Sequence, residues 1–284
     1  MNTNQYIDNI YNNVNNEFLF RHAAFSTADP PYTMTSHLHD KYEIYMFCSG
    51  NASYSVEGNV YDLNPYDVII TNRRELHRLI FHEDCYYRRK TMLISPSFLS
   101  AFMSPNFNPF SAFESRKSGV QNKFDHTVVM KQGIDKLINK IEEISFIDVP
   151  ERDVLIKSYL IQLLVKMAAL RDKTASFNPN DTSINRILDF VNRNIQEDLT
   201  YEIISKKFYI NRDYLYRFFK KNTGFSLGDY IRNKRIMKAR ELLMTGTKPT
   251  EIPSLIGYHD YSTFYRAFNK NVGISPTDYI KAFK

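Results

Sequence analysis

Cysteine is scarce, long apolar runs are missing, and the first residues carry no leader-like pattern. The 284 residues hold two cysteines, Cys48 and Cys85, which are too few for a disulfide framework and lack metal-type spacing. Their number fits a reducing compartment. The most apolar stretch, Leu160 to Leu170, is interrupted by Gln162 and Lys166 and falls well short of the ~20 residues that span a bilayer. Met1 to Asn16 is polar and asparagine-rich, without the basic–apolar–small order of a secretory signal. These absences lead to the expectation of a soluble, cytoplasmic protein that does not associate with membranes.

What is present is a globular composition, 43% hydrophobic and 24% charged, in a chain long enough for two cores. Charge is unevenly spread. Residues 182–284 carry 18 Lys+Arg against 10 Asp+Glu, and the rest carries 19 against 21. The basic surplus therefore sits in the C-terminal third, as partnership with a polyanion would favour.

That third contains an internal repeat. A shift of 49 residues aligns Leu215, Tyr216, Arg217 and Phe219 with Phe264, Tyr265, Arg266 and Phe268. Farther upstream a shift of 48 pairs Ile204 with Ile252 and Tyr209 with Gly257. Each copy reads as two short helices joined by a turn, with Thr200, Asn211 and Asp260 as N-cap candidates. Leu215, Phe218 and Phe219 form one apolar stripe, and Phe264, Ala267 and Phe268 form the other. The outward faces carry Arg212, Asp213, Tyr216, Arg217, Lys220 and Lys221, and then Tyr261, Ser262, Tyr265, Arg266, Asn269 and Lys270. A continuous helical pattern from Tyr230 to Met244 joins the copies. Paired helices with basic outer faces are the helix-turn-helix that docks in a DNA major groove.

Specific motifs strengthen this reading. They are Tyr214-Leu215-Tyr216-Arg217-Phe218-Phe219-Lys220-Lys221-x-x-Gly224-x-Ser226, Arg235-x3-Ala239-x2-Leu242-Leu243, Gly257-Tyr258, Ser262-x-Phe264-x-Arg266-x-Phe268, and Gly273-x-Ser275-Pro276-x2-Tyr279. The region resembles the DNA-binding domain of AraC/XylS-type transcriptional regulators. The resemblance implies base contacts from Asp213, Tyr216 and Arg217 in one unit and from Ser262, Tyr265 and Arg266 in the other. Two departures stand out. Pro253 falls where a mid-helix residue is usual, so the first helix of the second unit should be short or kinked. Tyr209 replaces a common glycine, so that turn need not take a left-handed path.

Residues 1–20 read as a short helix. From Phe18 to Ile94, short aromatic and β-branched runs broken by Gly, Asn and Pro predict an all-β sandwich or barrel. Within it lie His37-x-His39-x3-Glu43 and the later His77, a pattern similar to cupin barrels, which many AraC-type regulators use to sense an effector. Strand alternation would turn His37, His39, Glu43, Tyr45 and Phe47 to one face. A divalent metal, a polar lining for an organic ligand and a structural cluster are all open readings. The preferred one makes His37, His39, Glu43, Tyr45 and His77 ligand-binding residues, with no metal and no other cofactor. Tyr45, Phe47, Tyr54 and Tyr61 offer rings that could stack on a sugar, and a carbohydrate is the commonest effector the resemblance implies.

Between Pro96 and His126, five phenylalanines (Phe98, Phe102, Phe107, Phe110 and Phe113) are expected to cover one end of the barrel. Helices follow at Met130–Phe146 and Glu151–Arg171; the second is apolar nearly all round and must be covered on every side.

The fold class is therefore α+β multidomain: an N-terminal cupin-like β-barrel with two following helices, then an all-α domain of two helix-turn-helix units joined by a long helix. The expected divisions are 1–126 for sensing, 127–172 for helical dimerisation, 173–182 for a linker and 183–284 for DNA binding. The implied partners are double-stranded promoter DNA, a small-molecule effector and a second copy through the 151–171 helix, with RNA polymerase a further candidate. The reading is of a non-enzyme; a metal-dependent cupin enzyme with a C-terminal interaction module is the alternative.

Overall fold

The computed structural model describes residues 6–28, 36–171 and 183–283. The chain divides into two compact units, Met1–Pro179 and Asn180–Lys284. The expected linker at 173–182 lies outside the described residues.

In the first unit the strands are β1 (Ile7–Asn12), β2 (Phe18–Ser26), β3 (Tyr42–Ser49), β4 (Ala52–Val56), β5 (Asn59–Asp62), β6 (Val68–Thr71), β7 (His77–Phe81), β8 (Tyr86–Ile94) and β9 (Lys123–Phe124). They form a six-stranded sheet, β1-β2-β8-β3-β6-β9, and a three-stranded sheet, β5-β4-β7. The short helices α1 (Ser111–Glu114) and α2 (His126–Lys131) precede α3 (Ile134–Ser145) and α4 (Arg152–Arg171).

Strand alternation gives β3 two duties. Tyr42, Ile44 and Met46 join Ile138, Ile141, Leu160 and Leu164 in a core between the large sheet and the helices. Tyr45 and Phe47 join Tyr54, Val56, Tyr61, Leu79 and Tyr87 in a second core.

Two expectations change here. The N-terminal segment is a strand, not a helix: Ile7–Asn12 pairs antiparallel with β2 along its whole length, and that pairing, not local propensity, satisfies its backbone groups. The helix expected at Met130–Phe146 is broken at Gly133, whose φ of 66° is left-handed. Phe98, Phe110 and Phe113 pack in the sheet–helix core, Phe98 against Phe18 at the start of β2 and Phe110 and Phe113 against Tyr42 at the start of β3, while Phe102 stays exposed. Helix α4 buries Ile156, Leu160, Leu163, Leu164 and Met167 but leaves Val154, Leu155 and Val165 at the surface.

The second unit is all helical: α5 (Ser183–Arg193), α6 (Tyr201–Phe208), α7 (Arg212–Thr223), α8 (Leu227–Met244), α9 (Ile252–Leu255), α10 (Tyr261–Val272) and α11 (Pro276–Phe283). All three cap candidates act as caps. Thr200 accepts from the Ile203 amide, Asn211 from Asp213 and Tyr214, and Asp260 from Thr263. Helix α8 starts earlier than the apolar pattern suggests because Ser226 accepts from the Asp229 amide. It contributes Ile236, Ala239 and Leu243 to a core completed by Ile252, Ile256, Phe264, Phe268 and Tyr279.

Helix α9 is short, as expected, but Pro253 lies in its first turn, where a missing amide costs nothing. The Tyr209 expectation is overturned. Its φ of 54° and ψ of 41° are left-handed, so it takes the same backbone class as its repeat partner Gly257, φ 81°.

Candidate functional site

Two groups of residues carry chemistry, one in each unit. In the first, a cluster gathers around Glu43, a buried carboxylate on β3. The segment before β3 carries His37 and His39, and β7 opens with His77. Backbone pairing brings them together: the His37 amide donates to the His77 carbonyl (3.0 Å) and the His77 amide returns the bond (3.2 Å). The His37 and His77 ring centroids lie 4.3 Å apart, and those of His39 and His77 4.9 Å.

Glu43 Oε1 accepts from the Tyr54 hydroxyl at 2.8 Å. Its Oε2 faces His39 Nε2 at 3.0 Å and His77 Nε2 at 3.5 Å. Each of these two rings is held from behind. His39 Nδ1 donates to the Lys41 carbonyl at 3.0 Å, and His77 Nδ1 donates to the Glu75 carbonyl at 2.8 Å. Burial alone would raise the Glu43 pKa, but hydrogen bonds and charge from His39 and His77 hold it well below the usual carboxylate range. Burial likewise opposes charge on His77, yet Glu43 raises its pKa.

Four of the five residues assigned to a ligand therefore converge: one ligand atom each from His37, His39, Glu43 and His77 lies within 4.8 Å of the others. This donor set suits a first-row divalent metal. Tyr45 is different. It is fully buried and its hydroxyl meets the Tyr87 hydroxyl at 2.6 Å. Tyr45, Phe47, Tyr54 and Tyr61 pack into the second core, so they present no open face for a sugar ring.

Sequence reading missed the neighbouring network. The Glu75 carboxylate, wholly buried, meets Arg116 at 2.5 Å and accepts from the Gly119 amide at 2.6 Å and the Asn122 side chain at 3.1 Å. Glu75 thus supports the Gly119 turn with its carboxylate and orients His77 with its carbonyl. No local pattern announces a partner 41 residues away.

In the second unit the caps fix the start of α7 and α10, which sets the helix faces. Arg212, Asp213, Tyr216, Arg217, Lys220 and Lys221 are all exposed, while Leu215 and Phe219 are buried behind them. On α10, Ser262, Tyr265, Arg266, Asn269 and Lys270 are exposed over buried Phe264 and Phe268. Tyr261 departs from its expected outward position: it is half-buried, with its ring 5.8 Å from Phe264. No helix among the described residues is long and apolar enough to cross a membrane.

Known proteins give the same division. Residues 22–164 match a family profile described as the AraC-like ligand binding domain, and residues 204–282 match a helix-turn-helix domain profile. The lactose operon transcription activator of Staphylococcus xylosus is 35% identical over 111 residues, which is 38% of this chain and 40% of that protein. The match thus spans well under half of that relative's length. The transcriptional activator RhaS of Citrobacter koseri is 24% identical over 244 residues, 83% of each chain. The multiple antibiotic resistance protein MarA of Escherichia coli is 33% identical over 72 residues, 25% of this chain and 57% of that one.

Proposed function

The chain belongs to the AraC family of transcription regulators, and we propose that it binds promoter DNA through α7 and α10 under control of a small molecule held at the His37–His77 cluster. The observation that carries the DNA reading is the duplicated capped helix with an exposed arginine at the matching position, Arg217 in one copy and Arg266 in the other. A guanidinium can bond guanine O6 and N7 together. Tyr216 and Tyr265 pack on thymine methyls or bond phosphate, and Asp213 and Ser262 reach base edges from the helix starts. Arg212, Lys220, Lys221, Asn269 and Lys270 hold phosphates and give affinity without sequence choice. Helix α8, 18 residues and ~27 Å long, sets the spacing of two recognition helices placed about one DNA turn apart.

The convergence of His37, His39, Glu43 and His77 supports an effector site in the first unit, with Tyr45 beneath Tyr54 as a supporting ring, the centroids 4.7 Å apart. A carbohydrate is the first effector class to screen, since the name of one relative ties it to the lactose operon. The surface residues Val154, Leu155 and Val165 support dimerisation through α4.

The test is footprinting and mobility shift of the full chain on its own promoter and on random fragments, with and without a metabolite panel. Sequence-specific protection that responds to a metabolite is expected. Equal binding to both fragments, or none, would overturn the reading.

A further inference from the structure

We infer that Arg235 is a positioning residue that locks the two recognition helices at one separation, so that the chain accepts target DNA with a single spacing between its two contacted segments. This rests on the DNA reading above and deepens it, because it assigns what holds α7 and α10 apart.

A long helix alone does not fix that separation, since each copy must also be clamped against it. The two halves of α8 serve different copies. Near its start the Leu227 amide donates to the Tyr201 hydroxyl at 2.8 Å, and the Tyr230 ring meets Phe219 of α7 edge-on, the centroids 5.5 Å apart. The Tyr230 hydroxyl donates to the Asn192 side chain of α5 at 3.0 Å. From Ile236 onward the buried residues Ile236, Ala239 and Leu243 belong to the core of the second copy, with Phe264 and Phe268 of α10. Arg235 stands at the changeover.

Its side chain grips both sides. Nε donates to the Ile195 carbonyl at 2.9 Å and Nη2 to the Glu197 carbonyl at 2.7 Å, both in the segment that follows α5. That segment goes with the first copy, because Phe190 of α5 packs edge-on against Phe208 of α6 at 5.7 Å. The guanidinium carbon lies 5.5 Å from the centre of the Tyr258 ring, just past the turn of the second copy. Tyr258 in turn meets Phe264 of α10, the centroids 5.9 Å apart. A continuous path thus runs from α5 through Arg235 and Tyr258 to α10. Gly257 keeps that path short, since a Cβ there would lie 2.6 Å from Nη2.

Two features separate this joint from ordinary folding of the repeat. Under the 48-residue shift Tyr258 falls on Ile210, so the first copy builds its helix pair without such a joint. The chemistry also needs arginine. A guanidinium donates in two fixed directions while its flat face rests on a ring, whereas a lysine ammonium is a point donor on a flexible stem. Lysine keeps the charge and loses the fork. One base pair added between two contacted segments moves them ~3.4 Å farther apart and turns one by about 34° around the duplex. A clamped pair of helices cannot follow that change; a loosened pair can.

The test uses the full chain and duplexes that it selects from a random-sequence pool, remade with zero, one or two base pairs inserted between the two protected segments. Mobility shifts give the ratio of affinities without and with the insertion. The parent should lose at least tenfold on a single insertion. Arg235→Lys should lose less than threefold, whatever its affinity at the original spacing, and so should Tyr258→Leu, which removes the flat ring. Two variants are used so that one that fails to fold leaves the other to decide. Lys238→Ala, at an exposed cation about one turn along α8, should keep the parent's ratio. A merely structural role would weaken binding to every duplex and leave the ratio unchanged in both joint variants, which would overturn the inference. If the parent selects a sequence but tolerates the insertion, the inference falls and the DNA reading stands. If it selects none, both fall.

Discussion

Gly257→Ala tests how the second unit is assembled. Gly257 has a φ of 81°, and an added Cβ would lie 2.5 Å from the Gln196 carbonyl and 2.6 Å from Arg235 Nη2. Two costs follow. The left-handed backbone costs an alanine ~1–2 kcal/mol, of which ~0.4–1 is returned because the unfolded chain loses freedom. The clash adds more, because Arg235 cannot simply swing away: it donates to the Ile195 carbonyl at 2.9 Å and to the Glu197 carbonyl at 2.7 Å. Weakening those charged-donor bonds costs a further ~2 kcal/mol. The expected total is about 3 kcal/mol, or roughly 12–24 °C in the melting temperature of a small domain. Gly273 is the control, with a φ of 86° and nothing within 4 Å of its Cβ position. Gly273→Ala should cost only the backbone share, about 1 kcal/mol. The assay is thermal unfolding of both variants followed by circular dichroism at matched concentration. Equal losses in the two would refute the contact between the Gly257 turn and the Gln196–Arg235 segment.

Other outcomes follow from the same structure. Arg217→Ala should cost ~1–3 kcal/mol of specific DNA affinity and relax choice at one base pair, and Lys221→Ala should lower the salt slope by about one unit; mobility shifts across a salt series read both. Tyr209→Gly relieves a left-handed, fully solvated tyrosine and should stabilise the chain by about 0.5–1 kcal/mol in denaturant titration. Burial would raise the Glu142 pKa, but His22 at 2.5 Å and Lys90 at 2.6 Å hold it low. A carboxylate depressed on folding stabilises above its unfolded pKa and loses that contribution as pH falls through the folded one. The stability gap between parent and Glu142→Gln should therefore narrow below about pH 4.3, measured by urea unfolding across pH. Val154→Glu, at a site 69% exposed on α4, should leave the fold intact and shift the chain toward monomer in light scattering.

The sequence was most legible where physics acts over a few residues. The caps at Thr200, Asn211 and Asp260 and the stripes of Leu215–Phe219 and Phe264–Phe268 are set within one or two helical turns, and they placed the recognition helices correctly. The spacing of His37, His39 and Glu43 was visible, but strand parity did not bring them together: the two histidines precede β3, and His37 is placed by its backbone bridge to His77. What stayed hidden depends on distant partners. Ile7–Asn12 is a strand only because β2 lies beside it. The Glu75–Arg116 pair joins a turn to a later loop, and Tyr45 is closed off by Tyr87, which arrives from β8. Tyr209 shows the converse: the repeat demanded a left-handed corner, and the chain supplied it without the residue that makes it easy.

Strand β3 has one further implication. Its odd-numbered Glu43 faces the histidines, with Tyr45 and Phe47 in the second core, while its even-numbered Tyr42, Ile44 and Met46 share a core with α3 and α4. Slipping it by a single residue would exchange the two sets and wreck both layers together. A tilt or twist of the same ribbon on one face would be felt at once by the paired helices on the other.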